Sequence, residues 1–238
     1  MTDTTTPGND STTPSDSSAT PRNGAPLTGN EAITKAEEVA AATSGLNIPA
    51  LEGLPIADDT ANLRYGPDIH EGLLALLPLV GVWRGEGVGN YPEATPRADE
   101  AKNEHGDFGF GQQLIVSHNG ENYLCWDSRT WRLDGDGSVT NPDVRERGFW
   151  RISSTDEIEL LVCTSTGLSE LYLGKPLNER AWGLTTDVSL ASPTGQDLGR
   201  SKRLYGLVEG TDLGWVEERE VNGEYVPRMS ARLHRVIG

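Results

Sequence analysis

The sequence predicts an all-β protein, a ten-stranded antiparallel up-and-down barrel preceded by a disordered tail and one or two short helices. After Leu79, short apolar runs alternate with turn residues at spacings of about ten residues, which is typical of antiparallel sandwiches and barrels. The turn sequences NG at 119–120, DGDG at 134–137, EG at 209–210 and NG at 222–223 supply the positive φ angles of tight hairpins. A closed barrel is favoured because closure removes the sheet edges that promote aggregation.

The N-terminal part of the chain is expected to lie outside the barrel. Residues 1–29 are mostly Thr, Ser, Pro, Asp, Gly and Asn. Such a segment buries too little apolar surface to offset the entropy of ordering, so we predict a disordered tail. Residues 30–66 are predicted to form a helix at 30–42, with Asn30 as its N-cap, followed by a linker.

The barrel domain is predicted over residues 67–238. It begins with a short apolar helix that contains Leu73, Leu76 and Leu77 and is stopped by Pro78. This helix is expected to close one end of the barrel. The predicted strands lie near 81–90, 106–118, 121–133, 145–153, 157–164, 168–173, 179–188, 200–208, 213–221 and 225–236.

The first predicted strand has an unusual glycine pattern. Gly81, Trp83, Gly85, Gly87 and Gly89 fall on alternate positions and therefore share one face of the strand. Glycine at this period indicates that something approaches the backbone closely. One interpretation is a shelf that lines a ligand cavity, and the other is a tightly coiled strand with Trp83 closing one end of the barrel.

Charge and composition exclude several classes of partner. Lys and Arg number 20 against 36 Asp and Glu, a formal net charge of -16 that repels nucleic-acid phosphates and anionic membranes. No apolar run approaches the roughly 20 residues that span a bilayer, and no signal-peptide pattern opens the chain, so a cytoplasmic protein is expected. Cys125 and Cys163 lie in apolar runs and are predicted to be buried thiols.

Four motifs in register resemble the nitrobindin family: GVWRGEGVGNYP at 81–92, SHNG at 117–120, GFWR at 148–151 and STGL at 165–168. The resemblance covers about residues 73–236. It implies a barrel similar to the fatty-acid-binding proteins that binds ferric heme b in a shallow, solvent-open site. It also implies weak nitric oxide binding and the isomerisation of peroxynitrite to nitrate.

The resemblance further implies that one histidine, in a pattern similar to P-H-L-x-A-x-L, is the sole protein ligand to the iron. The matching run at 227–233 reads PRMSARL, so Arg228 stands at the position of that histidine. A guanidinium offers no free lone pair to a metal, although it can pair with a heme propionate or another carboxylate.

No other histidine is predicted to replace this ligand. His234 lies six residues along the same strand, on the face predicted for Arg228 but roughly 20 Å away. His70 and His105 lie in segments expected to be exposed, and His118 lies beside a hairpin turn. None has a metal-site partner at suitable spacing, so no metal site is predicted.

Two further clusters are interpreted as structural. Glu217, Glu218 and Glu220 surround Arg219, and because adjacent strand residues face opposite ways the cluster is predicted to form a solvated outer face. The tryptophans of the barrel are expected to fill core and end layers, with stacking on a planar ligand as the alternative.

These observations favour a non-enzymatic nitrobindin-like barrel that lacks His-ligated heme iron and binds another small apolar or planar ligand, or none. Its predicted ligand-binding residues are Gly81, Trp83, Gly85, Gly87 and Arg228, with no catalytic residue and no required cofactor.

Two alternatives stay open. One is a ferric heme b enzyme that isomerises peroxynitrite with a ligand such as Cys163, a tyrosine or water. The other is an intracellular fatty-acid or lipid carrier, which an interior Arg228 gripping a carboxylate would favour. A homodimer is compatible with each of these functions.

Overall fold

The computed structural model describes residues 29–45, 55–90, 107–195, 197–208 and 211–238. The chain divides into two units, Met1–Gly53 and Leu54–Gly238. The described part of the first unit is an α-helix, α1 (Gly29–Ala42), which confirms the predicted helix. Apart from Gly29, the predicted disordered tail lies outside the described residues.

The second unit is a closed antiparallel barrel, as predicted. Each strand pairs with the next one in sequence, and β1 closes the barrel by pairing with β10. The ten strands are β1 (Gly81–Asn90), β2 (Asp107–Ser117), β3 (Leu124–Leu133), β4 (Val139–Ile152), β5 (Ile158–Thr164), β6 (Leu168–Asn178), β7 (Ala181–Ala191), β8 (Ser201–Val208), β9 (Asp212–Val221) and β10 (Glu224–Ile237).

β4 and β6 extend furthest beyond the bounds that the sequence pattern predicted. β4 begins at Val139 rather than at residue 145, and β6 ends at Asn178 rather than at residue 173. The added segments contain Pro142 and Pro176, and both prolines lie beside irregularities in the strand pairing. Proline is tolerated there because an interrupted ladder does not require its missing N–H.

One end of the barrel is closed by a 3-10 helix, η1 (Glu71–Leu79). Leu73, Leu76 and Leu79 of η1 are fully buried. Pro78 lies inside the helix, which ends one residue later than predicted. Trp83 is also fully buried at this end, and its indole N–H donates a hydrogen bond to the Leu79 carbonyl at 2.9 Å. The helix therefore closes this end of the barrel, as expected.

The described hairpins agree with the predicted turn chemistry. Asn222 and Gly223 both have positive φ angles, 54° and 86°, as a two-residue hairpin of this type requires. The predicted turn at 209–210 lies outside the described residues. Among the described helices, none is both long enough and apolar enough to cross a membrane.

The middle of the barrel holds an aromatic cluster. The ring centroids of Trp126, Trp150 and Tyr205 lie 5.4–5.6 Å from one another. All three side chains are buried, so these tryptophans fill the core. The cluster separates the end closed by η1 from the polar interior described below.

Candidate functional site

Arg228 enters the barrel through an irregularity in β10. Across β9 and β10, Pro227 pairs with Glu218 and Met229 with Glu217, so Arg228 is the extra residue of a β-bulge. A bulge re-aims a side chain, and Arg228 is only 7% exposed. The prediction that His234 shares its face is therefore wrong. His234 faces solvent, and its Nδ1 lies 3.0 Å from the Asp212 carboxylate.

Arg228 is paired with a buried carboxylate. Its Nη1 donates a hydrogen bond to Glu217 Oε1 at 2.9 Å, and Glu217 is 2% exposed. The same carboxylate accepts hydrogen bonds from Arg219 Nε at 2.8 Å and Arg203 Nε at 3.0 Å. Burial by itself would raise the pKa of the Glu217 carboxyl, but Arg219, Arg203 and Arg228 outweigh it and hold the pKa well below its usual range.

This arrangement corrects the prediction of a solvated acidic face. Strand alternation turns Glu217 and Arg219 into the barrel, where both are 2% exposed, while Glu218 and Glu220 are only partly buried. Alternation by itself does not decide which of the two faces of β9 points inward. The signal that could have revealed it was the presence of further charged residues at inward positions of other strands.

The pairing extends through the barrel interior. Arg203 donates hydrogen bonds to both carboxylate oxygens of Glu146, at 2.9 and 2.8 Å. Arg219 does the same with Glu170, at 2.6 and 3.2 Å. We call these side chains the interior network, which consists of three carboxylates and three guanidiniums: Glu146, Glu170, Glu217, Arg203, Arg219 and Arg228.

The interior network leaves little free space. The cavity beside it has a volume of about 70 Å³ and is bordered by Arg203, Arg228, Gln112 and Ser128. Sites for drug-sized ligands usually measure about 300–1,000 Å³. The interior cavity is therefore of a size for a few water molecules and not for a porphyrin or an acyl chain.

A larger groove lies near the open end of the barrel over β1, β9 and β10, and much of its wall is outward-facing, since Val88 and Val216 are exposed. We call it the mouth groove, and its volume is about 830 Å³. Most of its wall is apolar, formed by Val88, Val216, Val221, Val226, Pro227 and Met229. Its described charged side chains are Arg228, Glu217, Asp107 and Glu218. The groove is large enough for a small apolar molecule.

The predicted ligand-binding residues occupy different parts of the barrel. Arg228 borders the mouth groove, whereas Gly81 and Trp83 lie at the end closed by η1. A side chain at Gly85 would overlap the Arg232 carbonyl. This close approach matches the interpretation of a coiled strand. The ligand-binding role of Gly81, Trp83, Gly85, Gly87 and Arg228 stays a prediction.

In the described part of the chain, neither the two buried tyrosines nor the two thiols favour iron ligation in place of a histidine. Burial raises the pKa values of Tyr172 and Tyr205, which disfavours the phenolate form that ligates iron. Cys163 is exposed on the outer wall, contrary to the predicted burial, and its Sγ lies 3.3 Å from Ser169 Oγ. Cys125 is half-buried, and burial, with Asp59 nearby, raises its pKa to about 11.

The described histidines do not complete a metal site either. His70 caps η1, accepting a hydrogen bond from the Gly72 N–H at 3.1 Å. His118 is fully buried at the end of β2, and burial lowers its pKa. His105 lies outside the described residues. Within the described ranges, no three His, Cys, Asp or Glu side chains cluster closely enough to hold a metal ion.

The heme iron site implied by the resemblance does not fit the side chain at position 228. The guanidinium of Arg228 has no free lone pair, and its Nη1 is hydrogen-bonded to Glu217. The small volume of the interior cavity also opposes entry of the macrocycle beyond the mouth.

Comparisons with known proteins agree with the barrel. The family model described as a THAP4-like, heme-binding beta-barrel domain matches residues 72–235. A ferric nitrobindin-like protein of Corynebacterium efficiens is 53% identical over 213 residues, which cover 89% of this chain and 87% of the relative. Peroxynitrite isomerase 2 of Rhodococcus jostii is 50% identical over 220 residues, which cover 89% of this chain and 98% of the relative.

A solved structure has the same fold. The crystal structure of Rv2717c from M. tuberculosis matches with a TM-score of 0.57 and 24% sequence identity. The match covers 71% of this chain and 99% of that chain. At this identity the likeness concerns the barrel architecture alone.

Proposed function

The chain belongs to the nitrobindin family of THAP4-like, heme-binding β-barrel proteins, and from this premise we propose that it is a non-enzymatic binding protein that does not ligate heme iron through residue 228. Its ligand is a small apolar or planar molecule held in the mouth groove. The observation that carries the proposal is the buried ion pair between Arg228 and Glu217, at the position where the sequence resemblance places the family's iron ligand.

The interior network supports the loss of iron ligation. Arg228 is held by a carboxylate that also binds Arg203 and Arg219, so its side chain cannot leave without disturbing three buried charges. Removing one partner of a buried ion pair leaves an uncompensated charge, which is strongly unfavourable. The network therefore occupies the position of the family's iron ligand with a stable alternative.

The mouth groove supports a binding role. Its apolar wall and its volume of about 830 Å³ fall within the range of small-molecule sites. The groove borders β10 at the bulge that carries Arg228, near the end of the barrel opposite η1. A ligand bound there would contact β1, β9 and β10.

The two alternatives have weaker support. A peroxynitrite isomerase is suggested by the name of the Rhodococcus relative, but it would require an iron ligand other than residue 228. A fatty-acid carrier that encloses its ligand would require a large interior, and the interior cavity measures about 70 Å³. Its carboxylate would also compete with Glu217 for Arg228.

Titration with hemin tests the iron part of the proposal. We expect the natural protein to show no sharp, saturable Soret band, and Arg228→His provides a comparison in which the ligand type of the family is restored. A band that the variant alone gains would locate the lost ligation at this residue. A tight, saturable hemin complex of the natural protein would overturn the proposal and favour the isomerase.

Titration with the uncharged dye Nile red tests the binding part. Saturable fluorescence enhancement is expected for the natural protein and not for Val226→Trp, which fills the mouth groove. The matched control is Val236→Trp, because Val236 is exposed and lies outside the groove. Equal binding by all three proteins would place the dye elsewhere and contradict the proposed site.

A further inference from the structure

We infer that a second copy of this chain docks on the outer wall of the barrel, over β3–β7. This part of the wall is separate from the mouth groove, which borders β1, β9 and β10. Association of two copies is therefore independent of ligand binding at the mouth groove.

Five outward-facing side chains form a continuous row across these strands. The strand register pairs them in succession from β3 to β7, and we call them the outer row: Cys125, Phe149, Leu161, Leu171 and Val188. Trp150, Leu160 and Val162 point into the core, so alternation directs their neighbours in the outer row away from it. Phe149, Leu161 and Val188 are 46%, 39% and 53% exposed. Contiguous exposed apolar side chains mark interaction sites, whereas scattered single ones do not.

A second row of outward positions, across β1, β10, β9, β8 and β7, is interrupted. In register it consists of Val88, Ser230, Val216, Leu204 and Gly183. A hydroxyl and a glycine therefore divide its apolar side chains. Of these two parts of the wall, the outer row is the more continuous apolar surface.

The extent of the outer row fits a weak dimer. Neighbouring strands lie about 4.8 Å apart, so five strands span about 19 Å. The apolar area is widened by Leu190, which is exposed, and by Tyr123, whose ring centroid lies 5.4 Å from that of Phe149. A patch of this size is smaller than the interfaces of permanent dimers, which bury more than about 2,000 Å². We therefore expect a dimer that dissociates on dilution.

The charges beside the outer row make it complementary to itself. On β4, Arg147 and Arg151 flank Phe149, and their side chains are 64% and 54% exposed. On β7, Asp187 is exposed beside Val188, at the other end of the row. A two-fold axis parallel to β5 places β3 and β4 of each copy over β7 and β6 of the other. Each copy then brings Asp187 toward the two arginines of the other copy.

The arginine end of the face keeps an excess of positive charge. The Asp127 carboxylate is surrounded by three arginines, Arg145 at 2.7 Å, Arg147 at 2.8 Å and Arg129 at 3.6 Å. Asp59 borders the same region, and Arg151 lies 3.4 Å from Glu159, so the arginines still outnumber these carboxylates. A partner that is only acidic would match the arginines but not Asp187. A second copy matches both.

Sedimentation equilibrium of the full chain tests the association. The natural protein is expected to show a monomer–dimer equilibrium between roughly 1 μM and 1 mM. Leu161→Asp, at the centre of the outer row, is expected to weaken dimerisation at least tenfold. Leu204→Asp is the matched control, because Leu204 is similarly exposed, at 42%, on β8. A natural protein that stays monomeric up to about 1 mM, or an equal loss with Leu204→Asp, would overturn the inference.

Charge reversal tests the orientation of the two copies. Asp187→Arg and the double variant Arg147→Glu/Arg151→Glu are each expected to self-associate at least tenfold more weakly, because like charges then meet at both symmetric contacts. In a mixture of the two variants, opposite charges meet at both contacts, so association is expected to return. Folding of each variant is checked by far-ultraviolet circular dichroism. Folded variants that do not associate on mixing would contradict the proposed pairing.

Cross-linking through cysteine tests the position of the axis. Cys163 is exposed on β5, two residues from Leu161, so the axis brings the two Cys163 side chains together. Cys125 lies at the end of the outer row and faces β7 of the other copy. A bismaleimide that spans roughly 10 Å, the spacing of packed sheets, is expected to link Cys125→Ser protein into dimers but not Cys163→Ser protein. Leu161→Asp is expected to abolish the link, and dimers linked through Cys125 alone would refute the axis.

Discussion

At the scale of single residues, Glu217 is the carboxylate that links the three guanidiniums of the interior network. It binds three guanidiniums at 2.8–3.0 Å in a site that is almost fully buried. Isolated buried charges are costly, so the network is tolerated because every member is paired. The arginine at position 228 therefore depends on a second residue, because Glu217 balances its charge.

Stability as a function of pH provides a test of this residue. The folded-state pKa of Glu217 is held below its unfolded value of about 4.3, so the ionised carboxylate stabilises the protein above that pH and loses its effect as the pH falls toward the folded-state pKa. Glu217→Gln is expected to cost about 3 kcal/mol at pH 7 and clearly less at about pH 3. Urea unfolding followed by tryptophan fluorescence measures both values.

The control for this experiment is Glu224→Gln, because Glu224 is exposed. Its stability is expected to change by less than about 0.5 kcal/mol at either pH. A deficit of Glu217→Gln that stays constant between the two pH values would show that packing, and not the charge, accounts for the effect.

At the scale of secondary-structure elements, β1 shows why glycine recurs along one face of a strand. A side chain at Gly85 would overlap the Arg232 carbonyl of β10, and one at Gly87 would overlap the Ser230 carbonyl and the Phe110 ring. The strand is thus pressed against its neighbours on the inward face. The bulge at Arg228 in β10 is the second local irregularity, and it directs a charged side chain inward.

Alanine substitution of strand glycines tests this packing. Gly85→Ala is expected to destabilise the barrel by about 2–3 kcal/mol, because the obstructing atoms belong to the backbone and cannot move aside. Gly109→Ala in β2 is the matched control, since its new methyl group would make only ordinary contact with Leu133. Chemical denaturation measures both, and equal effects would argue against close packing as the reason for the glycine.

At the scale of the whole molecule, the barrel combines an apolar closed end with a charged interior. η1 and Trp83 close one end, the aromatic cluster fills the middle, and the interior network lies toward the mouth. All ten strands lie within the second unit, Leu54–Gly238. The mouth groove therefore lies near the end of the barrel that η1 leaves open.

Thermal unfolding tests the contributions of the N-terminal segment and of η1. Removing residues 1–29 is expected to change Tm by less than about 2 °C, because that segment has few apolar side chains to bury. Leu76→Ala in η1 is expected to lower Tm by about 5–10 °C, since Leu76 is fully buried. A large loss of Tm on truncation would show that the tail stabilises the barrel.

The sequence by itself determined the features that depend on local chemistry. Hairpin turns such as Asn222-Gly223 require particular φ angles, and the ten strands are short patterns of alternating side chains, so both could be predicted. The sequence also predicted that Arg228 does not ligate iron, because the chemistry of a guanidinium does not depend on the fold. The start of β4 at Val139 could not be predicted, because a proline within a strand normally argues against it and only the irregular pairing accommodates Pro142.

The tertiary structure alone decided how Arg228 is used. A β-bulge shifts the alternation of β10, so no count along the strand could predict that Arg228 points inward while His234 points outward. Glu217 and Arg203 come from different strands, and Glu146 lies 57 residues from Arg203 in sequence. Charge pairing and cavity volume depend on distances across the closed barrel. These distances are set by the register of all ten strands together, which local sequence patterns do not specify.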